Sequence, residues 1–303
     1  MIFNLRNFKT RPLIIGMAFM IASCGSGGNK NTGVKIDSAE LQKDIFTDIS
    51  HAKQVFYSLP SPLESAMLIK SAGAVYNEKL LNVLTNVKRY TTNKSMALNL
   101  GVYITDLSYA SLFDQAQTTL KYMDAAKKMA EGLGITDAID QNTINRLEEN
   151  INNRDIILDI ISETFMSSTA FLKENDRQPL ATIALVGGWV EGLYIATQLV
   201  GDAPVEDNKI VQRIVDQKLS LDMVVKLLDN NKANPDIASI IKSITDLKNI
   251  YDKITIKSSK ISPVNDEKTK VTTLKSTSSS NVTQEVFTQL KQTVKTIRSN
   301  FTL

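Results

Sequence analysis

Residues 179–200 read PLATIALVGGWVEGLYIATQLV, and Glu191 is the one charged side chain among them. The run is long enough to cross a bilayer, which takes about 20 apolar residues. Its surroundings argue otherwise. Gln178 and Gln198 are polar, Gly187 and Gly188 sit side by side in the middle, and no basic cluster flanks either end. A helix that is apolar on every side is, in a water-soluble protein, the one at the centre of a bundle. Glycine weakens a helix interior by about 1 kcal/mol relative to alanine. That cost is tolerable at 187, 188 and 192 if neighbouring helices approach closely there. The stretch therefore predicts an all-α fold wrapped around a buried central helix.

Helical spacing recurs on both sides of it. Ahead of it, residues 154–172 place Ile157, Ile160, Ile161, Phe165 and Phe171 at core intervals, and 136–151 form a shorter, more polar helix. A helix over 112–133 is stopped by Gly132 and Gly134. Asn93 caps another through Met96, Leu100, Tyr103, Ile104 and Leu107, and 78–90 carries Leu80, Leu81, Leu84 and Val87 on one side. Ser61-Pro62-Leu63-Glu64 is a capping box with proline at the first helical position, opening a helix to Tyr76. Asp37 and Glu40 stand in the same spacing before Leu41, Ile45, Ile49, Ala52 and Phe56, and the Leu59-Pro60 step divides these two helices.

After the central run, 205–228 reads as a helix broken at Ser220, and Asn234-Pro235-Asp236 opens one through Ile237, Ile240, Ile244, Leu247 and Tyr251. Residues 257–282 are a Ser/Thr/Lys-rich linker with a short strand near 271–274. A last amphipathic helix within 283–303 aligns Val286, Leu290, Val294 and Ile297, a stripe that docks on the bundle or on a partner. No internal repeat is present. Antiparallel helical hairpins in a multi-helix bundle are the architecture expected.

The start of the chain reads as an address. Arg6, Lys9 and Arg11 precede a run from Leu13 to Ala22 in which every residue is apolar or glycine. A basic segment followed by an apolar one of this length is the pattern of a secretory signal. Ile21-Ala22-Ser23-Cys24 follows in register, and Cys24 is the chain's single cysteine. This resembles the lipobox of bacterial lipoproteins. The resemblance implies cleavage after residue 23, a diacylglyceryl group on the Cys24 thiol and an acylated amino group. Multiple acyl chains give stable bilayer anchoring where one does not. Gly25, where some lipoproteins carry the Asp that retains them at the inner membrane, points to the outer membrane without choosing a leaflet. The expected organisation is a signal peptide (1–23), a lipidated cysteine and flexible tether (24–36), a helical domain (37–256), the linker (257–282) and the final helix (283–303). The tether from Gly25 to Lys35 has a mean span of about 20 Å as a flexible coil.

Charge and composition remove several function classes. The 303-residue chain carries 35 basic and 32 acidic side chains, but the signal holds three of the basic ones and no acid. The mature body is neutral and offers no global attraction to nucleic acid. His51 is the lone histidine, so a His₂ or His₃ zinc centre cannot be built, and no nucleophile elbow or phosphate loop accompanies it. The Gly-x-His-x-x-Glu motif of imelysin-like lipoproteins is missing. No cofactor is implied.

What remains is carboxylate chemistry. Glu191 and Glu163 are candidates for buried acids, and Asp106, between Tyr103 and Tyr109, can line an aromatic-edged pocket with Glu191, Tyr194 and Tyr103. A glycosidase would use two such acids, although one tryptophan is poor provision for stacking sugars. The plainer reading pairs Glu191 with a cation of a neighbouring helix, Lys70 or Arg177, as a packing device. The function expected is a lipid-anchored, non-enzymatic envelope protein that binds a protein partner or has a structural role. A small-molecule-binding module is the second reading and a carboxylate hydrolase the third.

Overall fold

The computed structural model describes residues 75–258, 262–266, 271–275 and 278–303. Cys24, the tether, His51, Lys70 and the helix expected at 37–56 lie outside them, as does nearly all of that expected at 61–76. The described residues belong to one unit, Lys43–Leu303. They form eight α-helices: α1 Asn93–Leu112, α2 Ala116–Gly132, α3 Gln141–Glu149, α4 Arg154–Glu174, α5 Gln178–Val200, α6 Lys209–Asn230, α7 Pro235–Tyr251 and α8 Gln284–Phe301. The fold is an all-α bundle.

Helix α5 is its axis. An 18-residue window of α5 is apolar enough to cross a membrane, yet 78% of it is buried inside the fold. Helices α1, α4, α6 and α8 all pack on it. The α1–α5 crossing is the tightest. A Cβ on Gly101 would run into the Ala184 carbonyl, and one on Gly187 into the Leu98 carbonyl. The Thr105 hydroxyl bridges the two helices there, donating to the carbonyls of Gly101 at 3.1 Å and Gly188 at 3.2 Å. Gly192 plays no such part, because its nearest neighbour is a Thr105 methyl 3.8 Å away.

Local chemistry sets the ends. Thr92, one residue before the expected cap, accepts from the Ser95 amide, and the Ser95 hydroxyl returns the bond to Thr92 N–H. Asn234 caps α7 as its sequence suggests. Gly134 follows α2 at φ 69°, the left-handed stop that glycine permits. The helix expected over 112–133 instead begins at Ala116, because Asp114 turns the chain at φ 58°. Residues 136–151 divide into a 3-10 turn, Thr136–Ile139, and α3, which Asp140 caps. No break occurs at Ser220; α6 runs through it.

Two segments differ more deeply from expectation. Residues 78–90 form two 3-10 turns, Glu78–Leu80 and Leu84–Arg89, rather than an α-helix. Asn82 lies between them, its N–H bonded to the Asp106 carboxyl and its carbonyl accepting from the Tyr122 hydroxyl. With both backbone groups engaged by side chains, the helical ladder cannot pass. The Ser/Thr/Lys-rich segment holds four strands where one was expected: β1 Ile256–Ser258, β2 Ser262–Asp266, β3 Val271–Lys275 and β4 Ser278–Ser280. They pair antiparallel, β1 with β4 and β2 with β3.

The final helix returns to the bundle. Phe287, Leu290, Val294, Ile297 and Phe301 are buried, and α8 packs on α5 and α7. The stripe read as a possible partner surface is part of the core.

Candidate functional site: a sealed carboxyl pair

The four residues singled out as a pocket are neighbours in space. Asp106 and Tyr103 come from α1, and Glu191 and Tyr194 from α5. They do not enclose an open site. Asp106, Glu191 and Tyr103 have no solvent exposure, and only Tyr194 is half-buried.

Neither Lys70 nor Arg177 serves as the partner of Glu191. Arg177 donates to the Leu133 carbonyl, and Lys70 lies outside the described residues. The partner is Arg298 of α8. Its Nε lies 2.9 Å from Glu191 Oε2 and its Nη2 3.1 Å from Oε1, a two-pronged ion pair. The same Nη2 reaches the Leu80 carbonyl at 3.3 Å, and the guanidinium carbon stands 4.8 Å above the Tyr194 ring. Glu163, the other candidate for a buried acid, is exposed and pairs with Arg146 at 3.0 Å.

Among the described residues Asp106 has no ion-pair partner of its own. Its Oδ2 accepts from the Asn82 amide at 2.9 Å, while its buried Oδ1 finds no donor. Its charged neighbour is the Glu191 carboxyl. Burial, and then the Glu191 charge, push the Asp106 carboxyl well above its usual range. Burial also raises Glu191, but the Arg298 charge and the hydrogen bonds from Arg298 draw it back. Both carboxyls are raised, Asp106 the more strongly. Burial alone would lower the Arg298 guanidinium; Glu191 more than reverses this, so it stays charged.

Around the pair runs a polar network that sequence reasoning missed. The Asn82 side chain donates to Tyr90 and Asn99, each at 3.0 Å, and accepts from Asn86 at 3.1 Å. Asn99 donates to the Phe301 carbonyl at 2.9 Å and Tyr90 to that of Thr302 at 3.2 Å. The Tyr103 ring leans between those of Tyr90 and Tyr122, its hydroxyl donating to the Val83 carbonyl. Faint signals for these residues exist. Asn82 and Asn99 each interrupt an apolar run, Leu80-Leu81-Asn82-Val83-Leu84 and Ala97-Leu98-Asn99-Leu100, and Arg298 abuts the apolar stripe of its helix.

Comparison with protein-family models, with curated proteins and with solved structures finds no match for this chain. The site must be read from its own chemistry. Two neighbouring buried carboxyls are the parts of an acid–base pair, but such a pair acts only on what can reach it. Here one acid is gripped through both oxygens and the other is enclosed. Among the described residues no group of three or more His, Cys, Asp or Glu side chains is placed to hold a metal ion. A separate cleft of about 530 Å³ opens between the start of α6 and β4, beside Asn208, Lys209, Gln212 and Ser280. It shares no lining residue with the carboxyl pair.

Proposed function

We propose that the protein is a lipid-anchored component of a bacterial envelope, held at the outer membrane through acylated Cys24, with a non-enzymatic, partner-binding role. The observation that carries this reading is Ile21-Ala22-Ser23-Cys24 in register behind a basic start and an apolar run. Two features of the body support it. The apolar surface of α5 is committed to the core, so bilayer attachment falls to acyl chains. The acids that would serve a hydrolase are enclosed and joined to Arg298. With the α8 stripe buried, the docking element becomes the helix expected over 37–56, whose apolar side carries Leu41, Ile45, Ile49 and Phe56. A small-molecule site at Glu191, Tyr194, Tyr103 and Asp106 would require Arg298 to leave.

The test is metabolic labelling with an alkynyl palmitate, followed by detergent phase partitioning. The parent chain should take the label and enter the detergent phase, and Cys24→Ala should do neither. An unlabelled parent that partitions like its variant would remove the reading. Cross-linking of the labelled protein in intact cells then addresses the partner: adducts lost on Leu41→Asp and Ile45→Asp assign it to 37–56.

A further inference from the structure

The cleft beside α6 lies along an open strand edge. Thr255 and Asn281 face each other one step beyond the β1–β4 pairs, and the Asn281 N–H donates to the Thr255 carbonyl at 3.3 Å. In an antiparallel ladder, bonded pairs alternate with pairs whose backbone groups point away from the partner strand. Lys257 and Ser279 are therefore the next bonded pair, and Ser280, opposite Ile256, turns its N–H and C=O outward. Among the described residues neither group has a partner. Successive strand side chains point to opposite faces, yet both Ser279 and Ser280 line the cleft. The cleft thus runs along the edge of β4 rather than over one face of the ribbon. We propose that this edge takes an extended peptide segment of a partner protein, added as a third strand beside β4.

The walls state the chemistry of the occupant. Val211 is buried and Val205 and Val282 are half-buried, a floor suited to a small apolar side chain. Glu206, Asp207 and Lys209 stand exposed at the rim, and none of the three enters an ion pair among the described residues. Two acids against one base favour a basic side chain there. In strand addition the backbone bonds give affinity, and alternate side chains give selection. The occupant is thus a proline-free segment in which valine-sized residues alternate with lysine or arginine. Asn208 acts only as wall, because its side chain already accepts from the Ile210 and Val211 amides and donates to the Pro204 carbonyl. A second copy of the chain fits poorly, since its own β4 edge is recessed behind residues 205–209 in the same way. The inference stands on the body alone and depends neither on Cys24 nor on residues 37–56.

Amide-resolved NMR of the intact protein, titrated with the capped pentapeptide acetyl-Thr-Val-Lys-Val-Thr-amide, tests it. Saturable shifts should appear at Ser279, Ser280 and Val282 and along 205–209, and exchange of the Ser280 amide should slow. The peptide has two alternately N-methylated forms with the same side chains. One loses the donors that face β4 and the other keeps them, so their affinities should differ by about tenfold, the scale of one or two backbone hydrogen bonds. Ser280→Pro removes the outward donor at an edge position where proline is tolerated, and should weaken the parent peptide by a similar factor. Replacing the peptide lysine with glutamate should weaken it as well. The methylated peptides leave the protein unaltered, so the result stands even if Ser280→Pro fails to fold. An absence of shifts at millimolar peptide, or equal affinity of the two methylated forms, overturns the proposal. Shifts at β4 that grow with protein concentration alone, with a doubled sedimentation mass, assign the edge to a second copy and overturn it too.

Discussion

Arg298 and Glu191 lie 107 residues apart in the chain and meet through the Nε–Nη2 edge of the guanidinium and both carboxylate oxygens. Glu191 has no exposure and the Arg298 side chain 14%. The pair joins the final helix to the central one at a site where neither charge has easy recourse to water. Arg298→Met would leave the carboxylate alone in the core. Breaking a buried pair by removing one partner costs about 3–5 kcal/mol, and a urea titration should show a loss of that order. The double change Arg298→Met with Glu191→Met should restore much of it, since an apolar pair can match a buried ionic one.

Global stability should depend on pH with a sign set by Asp106. Its folded pKa is raised well above the ordinary carboxylate value of 3.8. The folded state thus binds the proton more tightly than the unfolded chain. The stabilisation is complete on the acid side of the unfolded value and declines as pH climbs toward the folded one, by up to about 1.4 kcal/mol per unit. Glu191, also raised, acts in the same direction. Denaturation midpoints of Asp106→Asn should be flatter with pH than those of the parent and exceed them at alkaline pH.

The exposed cap Asp140 should act oppositely. Hydrogen bonds from the Thr143 amide and hydroxyl lower its carboxyl below the usual value. Its contribution is present above the unfolded pKa and lost as pH falls through the folded one. Asp140→Asn, which keeps a capping oxygen, should remove this acid-side sensitivity while α3 stays formed, as read by exchange of the α3 amides.

Glycine positions separate close approach from mere occurrence. Gly101→Ala forces a methyl into the Ala184 carbonyl, and overpacking of this kind costs about 1–3 kcal/mol. Gly192→Ala meets only the Thr105 methyl at ordinary distance and should be neutral, or stabilising by up to about 1 kcal/mol through helix propensity. Thermal midpoints of the two variants should move apart.

Tyr122→Phe tests the break at Asn82. It removes the hydroxyl that satisfies the Asn82 carbonyl, leaving a buried acceptor unpaired at a cost of about 1–3 kcal/mol. The loss should appear in the urea midpoint.

The fold was largely legible because its signals are local. Hydrophobic spacing marks α4, α7 and α8, and the featureless apolarity of 179–200 marks the axis. The site was half legible. Glu191 stands out as a lone charge in an apolar run, and Asp106 by its aromatic neighbours. Their cation does not, because the pairing of α8 with α5 is a long-range event that no window of sequence contains. Asn82 escaped for the converse reason. Its surroundings spell helix, and only two distant side chains, Asp106 and Tyr122, cancel it.

The order of synthesis gives the ion pair one more meaning. Both acids are made well before the arginine that accompanies them, so a nascent chain carries α1 and α5 with no base to set between them. The Glu191–Arg298 pair can form only after α8 arrives. If the chain is exported as proposed, a core left incomplete until α8 is delivered would keep it open for passage in an unfolded form.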